Sequence, residues 1–299
     1  MKRLLILLVV SFLIAACQNQ RTLDLDMLAG QARGGDVSAG RELVELFATA
    51  TPEVNDRVYQ IVIESGDAVI VPLLENVGSK NTEQRERVIA ALGTLNVQRA
   101  VPAIVDVLAD KNFKRRYIAA WALGEIGHPD GIPALIKALD DDVLQVRRYA
   151  TRSLIKFNKS AVDILISALD QSSDRAAAGI IRALGDIGDR RSLEPLLHQV
   201  SGSVRGEAIL ALGKLRDPRA EQALIAALVD SDWQVRMNAA MALGPIGGAL
   251  SQAPLRHSLE DEVLVVREWS ARSLSTITGH AVQFKDVAGE LVAPYKVYH

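Results

Sequence analysis

Leucine recurs in this chain at Leu92, Leu123, Leu154, Leu184, Leu212, Leu243 and Leu274, at spacings of 31, 31, 30, 28, 31 and 31 residues. A unit of that length is one supersecondary element that cannot bury its apolar face alone, so neighbouring units must stack around a shared core. The residue before each leucine is small (Ala91, Ala122, Ser153, Ala183, Ala211, Ala242, Ser273). The residue three after it is apolar (Leu95, Ile126, Phe157, Ile187, Leu215, Ile246, Ile277). Seven residues before it stands an arginine in six units, Arg85, Arg116, Arg147, Arg205, Arg236 and Arg267, with Ala177 the exception. Asn96, Gly127, Asn158, Gly188 and Gly247 follow four after the leucine, and such residues accept the left-handed conformation that ends a helix.

At 3.6 residues per turn, the arginine and the positions four before, three before, at and three after the leucine share one side of a helix, the buried one. A second apolar run follows, often opened by proline as at Pro102 and Pro133, where a first helical turn has no N–H to lose. Each unit therefore reads as an antiparallel helix pair. Hydrophobic residues make up 49% of the chain but aromatics only 4%, so alanine and leucine must supply the core, as closely packed helix pairs require. A net charge of -2 gives no general attraction to nucleic acid.

The run Arg116-Tyr117-Ile118-Ala119-Ala120-Trp121-Ala122-Leu123-Gly124-Glu125-Ile126-Gly127-His128-Pro129, with Val146-Arg147 through Leu154, resembles the HEAT-like repeat first described in phycobilin lyases. The resemblance covers residues 80–280 and implies an all-α fold, a right-handed α-solenoid of stacked antiparallel helix pairs. It implies little about activity, because the family serves mainly as scaffolds and only occasionally as enzymes. It also implies that an aspartate at the preceding turn and the repeat arginine form a ladder from unit to unit. Asp110, Asp141, Asp230 and Asp261 each stand six residues ahead of Arg116, Arg147, Arg236 and Arg267. Aspartate there accepts backbone N–H bonds at a helix start and pairs with a guanidinium fork. These carboxylates are structural. Gln171 and Gln199 replace the aspartate in the units with spacings of 30 and 28, and Gly179, Gly202 and Gly206 lie nearby. That places a seam at residues 170–206, where curvature changes or local stability is lowest.

The chain starts Met1-Lys2-Arg3, continues with apolar or small residues from Leu4 to Ala16, and reaches Cys17, its one cysteine. Such a segment reads as an export signal. Leu13-Ile14-Ala15-Ala16-Cys17 resembles a bacterial lipobox, which implies a signal peptide over 1–16, lipidation at Cys17 and a lipidated tether over 17–22. The other reading is an ordinary signal peptide, or an uncleaved anchor, with a chance cysteine. Several acyl chains hold a protein on a membrane, each buried CH₂ contributing about 0.8 kcal/mol. Gln18, in place of the aspartate that resembles an inner-membrane retention signal, favours a bacterial outer membrane with the chain facing the periplasm. Thr22 opens divergent N-terminal helices over 23–79, where Asp36 to Thr49, Glu53 to Glu64 and Ala68 to Val77 are helical and Pro72 matches Pro102. Residues 281–299, with Phe284, Pro294, Tyr295 and Tyr298, fold over the last repeat as a cap or serve as a partner-binding tail.

No catalytic constellation is evident. His128, His198, His257, His280 and His299 are scattered and none precedes glutamate, whereas hydroxylases with HEAT-like repeats need His-Glu pairs to hold iron. No metal, no cofactor and no enzyme activity are expected. Family membership alone would imply a tetrapyrrole-lyase-like activity, and a lipid-anchored exported protein is the wrong compartment for it.

The side opposite the buried one carries positions nine, five and two before the leucine and two after it. Two before, it reads Ala90, Trp121, Arg152, Arg182, Leu210, Met241, Arg272. Five before, it reads Arg87, Ile118, Tyr149, Gly179, Glu207, Asn238, Trp269. In the family this helix lines the concave side. Aromatic, Arg and Met residues are enriched at interface hot spots, so Trp121, Tyr149, Arg152, Arg182, Met241, Trp269 and Arg272 are candidate partner-binding residues. The competing reading is that they pack between adjacent repeats. Trp233, ten before its leucine in line with Phe113, Leu144 and Leu264, reads as core. The function expected from these features is a noncatalytic, monomeric, membrane-anchored adaptor that binds a protein or peptide of the bacterial cell envelope and no nucleic acid. The runner-up is binding of an anionic envelope ligand, a phosphorylated lipid or glycan, by the arginines.

Overall fold

The structure, a computed structural model, describes residues 25–294. Cys17, the signal and tether segments, Thr22, Tyr295 and Tyr298 lie outside the described residues. The fold is all-α, of the α-solenoid class, with 74% of residues helical. The chain forms two compact units, one ending at Ala134 and the other beginning at Leu135. This division falls outside the 170–206 stretch where the ladder lapse placed a seam.

The first unit holds α1 (described over 25–33), α2 (Val37–Thr49), α3 (Pro52–Glu64), α4 (Asp67–Glu75), α5 (Thr82–Thr94), α6 (Val101–Ala109) and α7 (Tyr117–Ile126). Asp36 caps α2 by accepting the Ser38 N–H at 2.8 Å. Pro102 occupies the first turn of α6, but Pro72 stands inside α4, so the match between the two prolines does not hold. After α8 (Ile132–Ala138), the second unit continues through α9 (Leu144–Lys156), α10 (Val162–Leu169), α11 (Asp174–Ile187), α12 (Leu193–His198), α13 (Arg205–Leu215), α14 (Glu221–Ala227), α15 (Trp233–Ile246), α16 (Ala249–His257) and α17 (Leu264–Thr278). It ends in an antiparallel hairpin, β1 (Phe284–Lys285) with β2 (Leu291–Val292). Phe284 is buried, and Arg267 Nε donates to the Lys285 carbonyl at 2.8 Å, which holds the hairpin to α17.

The repeat leucines are buried throughout. What lets their helices approach is the glycine that follows the leucine, which at Gly93, Gly185, Gly213 and Gly244 faces the small residue preceding the next leucine. A Cβ added at Gly213 would lie 2.6 Å from the Ala242 Cβ, and one at Gly185 2.7 Å from that of Ala211. Gly179 is likewise filled, because an added Cβ would lie 2.9 Å from a Leu139 methyl. It marks close packing rather than looseness.

The ladder exists with a different register. Arg236 donates to the Asp261 carboxylate at 2.7 and 3.2 Å, Arg205 to Asp230 at 2.8 and 3.1 Å, and Arg85 to Asp110 at 2.8 Å, each pair 25 residues apart. The arginine six residues downstream takes the aspartate's carbonyl instead, as in Arg147 to Asp141 at 2.6 Å, Arg236 to Asp230 at 2.8 Å and Arg267 to Asp261 at 2.6 Å. Each carboxylate also accepts the N–H two residues on, at 2.8 Å for Asp230 and Asp261. One arginine thus stitches its own turn to the turn of the next repeat. Arg116 and Asp141 are the most buried ladder residues, at 3% and 5% exposure.

The guanidinium of Arg205 holds the Asp230 carboxyl below its usual range, with further help from the Asp232 N–H against the opposing effect of burial. A depressed carboxylate pKa contributes stability that is present above the unfolded value, near pH 4, and lost as pH falls through the folded one. Asp230→Asn is therefore expected to lower the Tm at pH 7 and to flatten its decline below about pH 4. An acid limb as steep as that of the wild type would remove Asp230 from the ladder.

Two placements differ from those read in the sequence. Trp233 is 40% exposed and Leu144 50%, so neither is core as Phe113 is. Both open their helices, directly after Asp232 and Val143, and side chains that lean toward the helix N-terminus find no earlier turn to cover them. Phe113 precedes its helix and lies beneath the Arg85 guanidinium, 4.6 Å from the ring centroid. Gly247 ends α15 at φ -64°, not left-handed, while Arg216 takes the left-handed position at φ 52°.

Candidate functional site

The leucine-bearing helices α11, α13 and α15 pack side by side, and their outward sides border an open cleft of about 470 Å³. Positions two before and two after each repeat leucine lie four apart, on one helix side. Here they supply Leu210 and Lys214 from α13, Met241 and Pro245 from α15, and Asp186 from α11. Gly185 and Gly213 line the same cleft, since the close approach they permit leaves no side chain there. Gly188 and Arg216, the residues that end α11 and α13, complete its lining. The volume is within the range of about 300–1,000 Å³ that small-molecule sites occupy.

Leu210, Met241, Ala242 and Pro245 give the cleft apolar surface. Lys214 Nζ meets Asp186 Oδ1 at 2.5 Å. Pro245 has no N–H, so the Met241 carbonyl one turn back lacks its usual helical donor. A second hollow, of about 170 Å³, shares Leu210 with the first and is lined by Arg182, Arg205, Glu207, Asp232 and Asn238 among others. Together the two offer apolar contact, cations for a carboxylate and acceptors for N–H groups.

Of the candidate partner-binding residues, only Met241 and Arg182 line these hollows. The others are placed elsewhere. Arg152 stacks on Tyr149 of its own helix at 5.7 Å. Arg272 stacks on Trp269 at 4.9 Å and pairs with Glu268 at 2.5 Å. Trp121 belongs to the first unit, its ring edge covering Gly93. The arginines therefore do not gather into one anionic-ligand groove. The reading of the sequence missed Asp186, Lys214, Arg216, Pro245 and the glycines. The signal was available at the position two after the leucine, which reads Thr94, Glu125, Lys156, Asp186, Lys214, Pro245, Thr276 and turns from neutral or charged to apolar only at Pro245. Among the described residues no three His, Cys, Asp or Glu side chains gather as a metal site, and no helix is long and apolar enough to cross a membrane.

Comparison with known proteins places the chain in a repeat family. Residues 69–156 and 197–275 match the model for HEAT repeats, and residues 146–171 and 176–200 match the PBS lyase HEAT-like repeat. The chain is similar to the bilin biosynthesis protein PecF of Nostoc sp. (strain PCC 7120), 34% identical over 149 residues, which are 44% of this chain and 86% of that protein. It is also similar to the bilin biosynthesis protein RpcF of Synechococcus sp. (strain WH8020), 35% identical over 104 residues, covering 30% of this chain and 50% of that one. A solved complex of CpcE and CpcF of phycocyanin lyase from Nostoc is 24% identical with a TM-score of 0.37, covering 68% of this chain and 86% of that one. The two bilin biosynthesis relatives overturn the expectation of a noncatalytic adaptor that is not an enzyme. That expectation rested on a segment outside the described residues, whereas residues 146–171 and 176–200 of the repeats match the PBS lyase HEAT-like repeat.

Proposed function

Because the chain belongs to the HEAT-repeat family and within it is kin to the bilin biosynthesis proteins, we propose that it binds a linear tetrapyrrole in the α11/α13/α15 cleft and acts on it as a lyase. The observation that carries this reading is the 34% identity to PecF across 86% of that protein's length. The cleft suits such a ligand in three respects. Leu210, Met241 and Pro245 face a conjugated ring system, whose burial contributes roughly 25 cal/mol per Å² of apolar surface. Asp186 and the Met241 carbonyl accept pyrrole N–H groups, and the carboxylate stabilises a protonated ring. Arg216 and Arg182 answer the ligand's carboxylates. The test is a titration of the purified protein with biliverdin, followed by visible absorption: saturable binding with a spectral shift is expected, and an unchanged spectrum would refute the reading.

The lipobox-like segment Leu13-Ile14-Ala15-Ala16-Cys17 supports a second, independent proposal about place. Cys17 is acylated and holds the chain on the bacterial envelope, at the outer membrane facing the periplasm, with the divisions at 1–16, 17–22, 23–79, 80–280 and 281–299 as domains. In cells, Cys17→Ser is expected to move the protein from the detergent phase to the aqueous phase and to abolish fatty-acid labelling; labelling that survives would sink it. A protein partner on the envelope would meet the Tyr149/Arg152 stack, whose arginine is exposed.

A further inference from the structure

Arg216 holds a backbone conformation that its side chain does not favour. At φ 52° and ψ 35° it ends α13 in the left-handed region. At the same position, four after the repeat leucine, Asn96, Gly127, Asn158 and Gly188 take the same turn, and these are the residue types that tolerate it. Among the described residues, every other positive φ belongs to glycine or asparagine. A strained residue persists only where its surroundings over-determine it, and such residues concentrate at functional sites.

The brace is the next residue. Asp217 is buried at 6% exposure, and its carboxylate accepts the Arg219 N–H at 3.0 Å and the Arg219 guanidinium at 2.7 and 3.0 Å. The Arg216 N–H closes the turn on the Leu212 carbonyl at 3.3 Å. Repeat turns elsewhere are built alike without an arginine at the left-handed position: Asp189 accepts the Arg191 N–H at 3.0 Å after Gly188. The turn thus does not need an arginine, and glycine would fit it with less strain.

What the arginine adds is its head group. The residue is exposed and lines the 470 Å³ cleft, and among the described residues its guanidinium has no hydrogen-bond or ion-pair partner. The other cation of the cleft, Lys214, is already engaged by Asp186. We propose that Arg216 is the specificity-determining residue of the cleft, its guanidinium receiving a propionate carboxylate of the bound tetrapyrrole in a bidentate pair. The assignment rests on the tetrapyrrole reading above, and it adds the part of the ligand that is recognised and the residue that recognises it.

The experiment compares biliverdin with its dimethyl ester, which keeps the ring system and removes both carboxylates, on the full chain and on Arg216→Gly and Arg216→Asn. The wild type is expected to bind the diacid at least roughly tenfold more tightly than the ester, the worth of one charge-assisted pair. Both variants are expected to lose about tenfold in affinity for the diacid, to leave ester affinity unchanged, and to melt no lower than the wild type. Variants that keep the wild-type preference for the diacid, or that lose ester binding equally, overturn the role of Arg216 while leaving the cleft in place. A wild type that binds neither compound overturns the tetrapyrrole reading and this assignment with it.

Discussion

Leu210→Glu combined with Met241→Glu is expected to weaken bilin binding by about 100-fold while leaving the melting temperature near that of the wild type. Both side chains are half-buried on the outward side of α13 and α15, where they line the cleft without entering the core. Substitutions outside the core usually change stability by no more than about 0.5 kcal/mol. Each lost apolar contact with a ring system is worth about 1.5 kcal/mol, and two such losses give the expected factor. Two new carboxylates would also repel the ligand's own. The measurement is an absorption titration alongside thermal melting. Ala90→Glu, at the same repeat position in the first unit, serves as the control and is expected to bind as the wild type does. Retained affinity in the folded double variant would move the ligand out of this cleft.

Gly213→Ala is expected to destabilise the chain by about 2 kcal/mol, a fall in Tm of roughly 5 °C, although alanine is the better helix former. The new methyl would lie 2.6 Å from the Ala242 Cβ and 3.1 Å from its Cα, a separation that forces α13 and α15 apart. The facing substitution tests the cause. Ala242→Gly alone costs about 1 kcal/mol of helix propensity, but in the double variant it exchanges the two residues across the interface and makes room for the new methyl. The double variant is therefore expected to recover most of the lost stability, and a double-mutant cycle reads that coupling directly. Additive effects would mean that the close approach of the two helices does not matter.

Much of the fold is legible along the chain because each repeat writes the same local instructions. Helical spacing of apolar residues put Leu92, Leu184 and Leu243 inside, and the structure buries them. Trp233 was misplaced because an alignment of repeats carries no information on how much of a helix precedes a residue. The ladder pairs were recognisable as residue types, but the Asp230 carboxylate pairs with Arg205 while Arg236 takes only its carbonyl, since the choice depends on how far one turn is offset from the next. The tetrapyrrole-lyase-like activity that family membership implied was set aside for a different reason. A site that recognises a large ligand by shape and by spread charge needs no fixed motif, so the lack of metal or nucleophile signatures excluded less than it suggested.

The candidate site shows the same division. Position two before the leucine was identifiable as the outward side, and Arg182, Met241 and Leu210 are indeed there. Which repeats hollow out was not visible in that pattern. It depends on Gly185 and Gly213 drawing three helices together, on Pro245 withholding an N–H, and on the turn at Arg216. An arginine where other repeats carry glycine or asparagine looks like an ordinary substitution until its φ is known.

The sequence by itself determined the unit of construction, the helix pair, the buried side and the residue types that tie one turn to the next, because all of these follow from periodicity within about 31 residues. Only the tertiary structure decided which aspartate meets which arginine, where the outward side opens into a cleft, and which cations there remain unpaired. Those properties arise between repeats, from the distance and offset at which one helix settles on another, and no single repeat encodes them.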